Sequence, residues 1–294
     1  MSITRVGVVA KSHLQVAAPH LIDVEKWLAG RGVEAVFDTA TAALMPADPT
    51  RHVADKQSLV NDVGLVLVLG GDGTLLSMAD CIGRTGRNVP ILGVNFGSLG
   101  FLTEVTLPEL YVALETALAG RAHIEERLTL RATIAQPSGA TFSEIAVNDV
   151  VINKGARSRL IDLAIWLGDG LVSTVRADGL IVATPTGSTA YNLAAGGPIV
   201  QPNVDALVLT PIAPHTLTNR PVMIPASSDV HLAPIMEPDD EVFVTFDGQS
   251  GFPLRPGDRV SVRRSARTLR IVKSPQRTYF ELLREKLKWG GDNR

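Results

Sequence analysis

Over the first 120 residues the apolar positions fall into two alternating rhythms. Short, nearly unbroken runs, ITRVGVVA (3–10), VEAVF (33–37), LVLVL (65–69) and ILGV (91–94), read as buried strands. Amphipathic spacing over 17–29, from 74 to about 83 and from about Pro108 to Ala119 predicts helices among them. Residues 39–52, TATAALMPADPTRH, hold two prolines and show no period, so they read as a surface loop. Buried strands separated by helices imply a parallel sheet wound with helices.

The rhythm changes after Gly120. LTLRATIA, FSEIAVNDVVIN, LIDLAIWL, LVSTVRADG, DALVLTPI, EVFVTF and RVSVRR are short alternating segments, punctuated by PSG, GDG, DGQSG and RPGD. Such punctuation supplies positive or preset φ and joins antiparallel strands, so this half reads as an all-β sandwich. The tail, Pro275 to Trp289, carries the helical pattern YFELLREKLKW, whose apolar face has to dock on something. The expected organisation is an α/β domain over 1–122, joined by the helix of 275–294 packing back on it, and a β-sandwich over 123–274.

Composition narrows the function classes. A chain of 294 residues, 45% hydrophobic and 20% charged, has room for two domains with real cores. A net charge of -2 and the lack of any basic run exclude a nucleic-acid footprint. The single cysteine, Cys81, lies in an apolar helical pattern and reads as a small core residue. No run is long enough to span a bilayer and the first residues have no signal-peptide profile, so the expected compartment is the cytoplasm.

Four segments break the patterns around them. GGDGT, Gly70 to Thr74, ends a buried strand on a carboxylate among three glycines. Asp72 or Thr74 capping the next helix is one explanation. The other is a ligand site, since glycines admit close backbone approach and the helix offers free N–H groups to phosphate. NFGSLGFL, Asn95 to Leu102, follows the next strand with the same logic, or is an ordinary strand–helix connection. TPTGSTAYN, Thr184 to Asn192, gathers more hydrogen-bonding side chains than a turn needs and looks built for a polar ligand with a flat portion. Asn148-Asp149 interrupts a valine-isoleucine strand, either as a β-bulge or as an amide and carboxylate suited to a ribose diol. The P-loop, GxGxxG, HExxH and GxSxG signatures are absent.

Taken together, GGDGT, NFGSLGFL, NDVVI, DGLIVATPTGSTAYNLAAGGPIV and LTNRPVMIP (217–225) resemble the bacterial NAD kinases along nearly the whole chain. GGDGT alone also occurs in phosphofructokinases and lipid kinases; the long DGL…GGP stretch is the specific part. The resemblance implies an N-terminal α/β domain and a C-terminal β-sandwich. It also implies transfer of the ATP γ-phosphoryl group to the 2′-hydroxyl of the adenosine ribose of NAD. Asp72 would be the general base, beside Gly73. Asn148 and Asp149 match the pair that holds the dinucleotide, and Thr189, Ala190, Tyr191, Asn192 and Ala194 match the segment around adenine and ribose. Arg176 and Asp178 match positions at the nicotinamide end, two residues apart on a strand and so expected on one face. Gln249, and Arg159 at a position where relatives vary, complete the implied set. Magnesium is expected with ATP, held by phosphate oxygens and water with no protein ligand. Arg84 and Arg87 are the arginines considered for the phosphates, against a solvated role at a helix end. The donor is ATP, with polyphosphate left open, and assembly as a dimer or tetramer through the β domain is implied. The competing readings are another GGDGT-type kinase acting on a lipid or sugar phosphate, and a non-catalytic dinucleotide sensor.

Overall fold

The computed structural model describes residues 3–289 except 98, 156–159, 217 and 275. The chain divides into two compact units, one made of residues 1–126 and 269–294, the other of residues 127–268.

The first unit runs β1 (Arg5–Ala10), α1 (Ala18–Ala29), β2 (Glu34–Asp38), α2 (Thr39–Ala42), β3 (His52–Ala54), α3 (Lys56–Asp62), β4 (Leu65–Leu69), α4 (Asp72–Thr85), β5 (Ile91–Asn95), β6 (Val105–Thr106) and α5 (Leu110–Leu118). Its strands are parallel in the order β3-β2-β1-β4-β5. β4 and β5 are buried at every position, as strands covered by helices on both faces must be. The stretch expected as loop holds two small elements. Asp38 caps α2 by accepting the Thr41 N–H at 3.1 Å, and β3 adds a short edge to the sheet. Asp55 then caps α3 through the N–H groups of Gln57 and Ser58. Elements this short carry no hydrophobic period, which is why the pattern passed over them.

The second unit is built from β7 (Ile124–Ala135), whose first three residues belong to the first unit, β8 (Thr141–Ala146), β9 (Asp149–Lys154), β10 (Ile161–Leu167), β11 (Gly170–Ala177), β12 (Gly179–Ala183), α6 (Tyr191–Ala194), β13 (Ala206–Ile212), β14 (Val222–Pro225), β15 (Val230–Ile235), β16 (Val242–Phe246), β17 (Ser250–Leu254) and β18 (Arg259–Val272). One sheet is ordered β8-β7-β18-β15-β10-β11 and the other β14-β13-β12-β9-β16-β17. Apolar side chains of both, among them Leu130, Ile152, Leu163, Val182, Val244 and Val260, form one core between them.

Beyond Thr268 the chain rejoins the first unit. Ile271 of β18 pairs in parallel with Ile91 of β5. Lys273 forms ion pairs with Glu104 and Glu125, and Arg277 binds Glu109 at 3.0 Å. Thr278 and Glu281 make a capping box that starts α7 (Tyr279–Leu287), which buries Leu282 and Leu283 and sets Lys286 over the Phe101 ring.

Candidate active site

In the first unit the GGDGT turn links β4 to α4, and Asp72 is the first residue of the helix, after a Gly71 N-cap. Its side chain does not cap that helix. It turns to the following loop, where Oδ2 accepts the Phe101 N–H at 2.8 Å. Oδ1 accepts the N–H groups of Leu102 and Thr103 at 3.1 and 3.0 Å and the Thr103 hydroxyl at 2.9 Å. Asn95 braces the loop by donating to Thr103 Oγ1 and accepting the Gly97 N–H. A Cβ on Gly100 would overlap Asp72 Oδ1, so a glycine is required there for the loop to close on the carboxylate. The two glycine-rich loops thus form one unit around a single acid. Oδ1 is saturated, while Oδ2 takes one donor and keeps a lone pair for another.

The glycines of the turn differ in what they face. A Cβ on Gly70 would press on the Thr74 side chain. Nothing lies within 4 Å of where a Cβ on Gly71 or Gly73 would stand, and both line a cavity of about 360 Å³. Internal packing therefore accounts for the first glycine and not for the other two. Arg84 pairs with Asp80 at 3.0 Å in the last turn of this 14-residue helix, and Arg87 lies beyond its end. At 1.5 Å per residue that is about 20 Å from the turn, so neither arginine serves a phosphate at Gly71 or Gly73.

In the second unit Asn148 and Asp149 do not interrupt a strand. β8 ends at Ala146 in one sheet and β9 begins at Asp149 in the other, so the pair stands where the chain changes sheets. The corner is held by Asp247, which sequence reasoning did not single out. Its carboxylate accepts the N–H groups of Val147, Asn148 and Asp149 at 2.8, 2.7 and 3.0 Å. Asp247 and Gly248, both at positive φ, and the exposed Gln249 make the three-residue turn between β16 and β17. The DG dipeptide announced the turn, but nothing local announced its partners about a hundred residues away.

With the backbone fixed, the side chains of the pair are left over. Among the described residues no hydrogen bond reaches the Asn148 amide or the Asp149 carboxylate, although Asp149 is only 4% exposed. Burial, and then the charge of Asp247, push the Asp149 carboxyl up to about 7. A buried carboxylate without donors is costly unless something else supplies them.

TPTGSTAYN folds differently from its expected role as a surface of polar side chains. The Thr184 hydroxyl donates to Val147 O, and that of Ser188 to Pro185 O and Val200 O. Asn192 is fully buried: its amide donates to Ser188 O and Pro198 O and accepts from the Thr210 hydroxyl. Its side chain holds the segment together and is not presented to a ligand. Thr189 and Ala190 are half-buried, whereas Tyr191 and Ala194 stay exposed. A Cβ on Gly187 would overlap the Asn148 carbonyl, so this segment lies directly against the sheet-changing corner.

Arg176 and Asp178 do not form the expected pair. β11 ends at Ala177 and β12 begins at Gly179 in the other sheet, so strand alternation does not span them. Asp178 is 3.5 Å from Lys154 instead, and Arg176 is exposed. Arg159 lies outside the described residues.

Residues 6–122 match the ATP-NAD kinase N-terminal domain and residues 147–274 the ATP-NAD kinase C-terminal domain. The chain belongs to the ATP-NAD kinase family. It is 43% identical over 286 residues to the NAD kinase of Geobacter sp. (strain M21), covering 97% of this chain and 99% of that relative. Two solved structures extend the likeness to the fold. The yeast NADH kinase complexed with NADH superposes with a TM-score of 0.88 at 26% identity, covering 100% of this chain and 89% of that one. The Archaeoglobus fulgidus NAD kinase in complex with ATP gives 0.75 at 25%, covering 97% and 98%. Asp72 and its loops lie in the N-terminal domain of the ATP-NAD kinase pattern, and Asn148, Asp149 and Asp247 in the C-terminal one.

Proposed function

We propose that this chain is an NAD kinase, moving the γ-phosphoryl group of ATP to the 2′-hydroxyl of the adenosine ribose of NAD and yielding NADP and ADP. The observation that carries the mechanism is Asp72, a carboxylate fixed by four donors with one lone pair of Oδ2 left over. Asp72 takes the hydroxyl proton as O2′ bonds to the γ-phosphorus and the bond from that phosphorus to the β–γ bridging oxygen breaks. Asn148 and Asp149 take ribose hydroxyls, which supplies the donors their side chains lack in the fold. Half-buried Thr189 and Ala190 and exposed Tyr191 and Ala194 take the adenosine portion, Gln249 adds a polar contact, and Arg159 is retained from the resemblance. A divalent ion would neutralise the donor phosphates. Asp72, already engaged by four donors, is poorly suited to hold it, which supports carriage by phosphate oxygens and water.

Incubating the purified protein with ATP, magnesium and NAD and assaying NADP tests the reading; no product with any phosphoryl donor would point to a dinucleotide sensor. Assembly through the β domain is supported by exposed apolar side chains on strands at the edges of its sheets, Leu171 on β11 and Met223 on β14. No described helix is long and apolar enough to cross a membrane.

The Asp149 carboxyl gives the binding step a pH signature. Hydroxyl donors favour its charged form, so NAD binding at pH 6.5 should release protons. Affinity should rise roughly tenfold between pH 6 and 8, the change in ionised fraction of a group near 7. Titration calorimetry in two buffers of different ionisation enthalpy reads both, and Asp149→Asn should abolish the pH dependence. A pH-independent affinity in the unmodified protein would remove Asp149 from the ribose. The stability effect has the opposite sense. The folded state holds this proton up to about 7 while the unfolded chain releases it near 3.8, so this group's contribution to stability falls across that range and is flat above it.

Choice of redox form is assigned to Arg176. The resemblance implies that this position tends to differ between members restricted to NAD and those that also accept NADH, and a strong preference for NAD is expected here. Charge alone would repel the cationic nicotinamide, and Asp178, engaged by Lys154, does not offset it. Shape remains as the cause. Arg176→Gly should therefore narrow the NAD:NADH ratio of kcat/KM by admitting the puckered ring, whereas equal use of NADH by the unmodified protein would end this assignment and leave the kinase reading standing.

A further inference from the structure

The cavity beside Gly71 and Gly73 lies beyond the carboxyl ends of two strands. Lys11 follows the last residue of β1 and its N–H donates to Leu69 O at the end of β4. In the order β3-β2-β1-β4-β5 the sheet grows one way from β1 and the other way from β4, so this crevice is the topological switch point, where open α/β sheets take their ligands. Two lysines line it, Lys11 and Lys56, with the hydroxyls of Thr74 and Ser77.

Neither lysine has a carboxylate partner among the described residues; the Lys56 ammonium donates to Ser77 Oγ at 3.1 Å. The neighbouring acids are all engaged elsewhere. Asp55 caps α3, Asp80 pairs with Arg84, and Asp72 is turned to the 101–103 backbone. The cavity thus concentrates two uncompensated positive charges, hydroxyl donors and two glycines with no neighbour, a combination suited to a chain of phosphates.

We infer that Lys11 and Lys56 bind the polyphosphate of the phosphoryl donor in this cavity and set donor affinity. This rests on the kinase reading above. The donor fits better than the pyrophosphate of the dinucleotide on two counts. Its triphosphate carries more charge for two lysines to neutralise, and its terminal phosphorus has to reach the oxygen that Asp72, between the two open glycines, deprotonates.

Lys11→Ala and Lys56→Met test the inference, with Arg84→Ala as a control. Initial rates give KM for ATP and NAD separately, and calorimetry measures binding of inorganic triphosphate without turnover. Each lysine variant should raise KM for ATP and weaken triphosphate binding by about 10–100-fold, the range for losing a charge-assisted bond to phosphate. KM for NAD should stay within about threefold and Arg84→Ala should behave like the unmodified protein, on the same estimate. A rise in KM for NAD alone would place the acceptor's pyrophosphate in the cavity, and unchanged constants would leave it without a phosphate; either overturns the inference. Lysine-dependent triphosphate binding by a protein that makes no NADP would overturn the kinase reading and spare the phosphate site. Thermal unfolding of each variant separates loss of fold from loss of binding.

Discussion

Asp72→Asn should lower kcat by about 10²–10⁴-fold, the usual contribution of a positioned general base, with NAD affinity nearly unchanged. An amide can still accept a hydrogen bond but cannot take the proton from O2′. The structure adds a cost that the sequence did not reveal, because the asparagine must also satisfy the loop. Its oxygen can replace Oδ1 and keep three donors, but its NH₂ then faces the Phe101 N–H, donor against donor. That mismatch should cost about 1–3 kcal/mol of stability, visible as a lower unfolding midpoint and far too small to empty the folded state. Thr103→Val provides the counterpart: it removes one donor from Oδ1 and leaves the base, so turnover should fall by less than about tenfold. Near-normal turnover of Asp72→Asn would reduce Asp72 to a staple between two loops.

The second large effect is expected at Gly187. A Cβ there would overlap the carbonyl, carbon and Cα of Asn148, all backbone atoms that no rotamer change can move aside. Gly187→Ala should therefore cost about 3 kcal/mol or more, the upper end for overpacking, and lower the unfolding midpoint by roughly 6–12 °C. It should also weaken NAD binding, since the residue displaced is Asn148. Gly71→Ala makes the contrast: its Cβ would meet nothing within 4 Å, so stability should hold while KM for ATP rises. A Gly187→Ala protein that melts and binds normally would show that the corner at Asn148 can shift without consequence.

These residues also mark how far the sequence reached. Buried strands and the change of rhythm after Gly120 were readable because burial writes a period into neighbouring positions, and Asp72 and Asn148-Asp149 stood out against that period. What went unread depends on contacts distant in the chain. Asp247 looked like any turn aspartate, since the N–H groups it holds lie about a hundred residues earlier. Lys11 follows β1 and Lys56 opens α3, and the two meet only when the sheet forms. Composition misled in TPTGSTAYN, where side chains counted as available are consumed within the fold. Periodicity misled at Arg176 and Asp178, because a change of sheet between them resets which way a side chain points.

The return of residues 269–289 to the first unit has a consequence for the order of events during synthesis. The 142 residues of the second unit are contiguous, so that unit can fold as soon as it clears the ribosome. The first unit must wait, although its first strands emerge earliest. Ile271 beside Ile91, the lysine and arginine pairs with Glu104 and Glu109, and the face that buries Leu282 and Leu283 all come from its last-made stretch. Until then β5 has β6 beside its end, at Val94 and Asn95, but its start at Ile91 lacks a partner on that side, a short open edge of the kind that chaperones cover or that pairs with another chain. Completion of the domain that holds Asp72 is thereby tied to translation through Leu283, and a nascent chain stalled before Leu269 should present a folded sandwich beside an α/β unit still sensitive to protease.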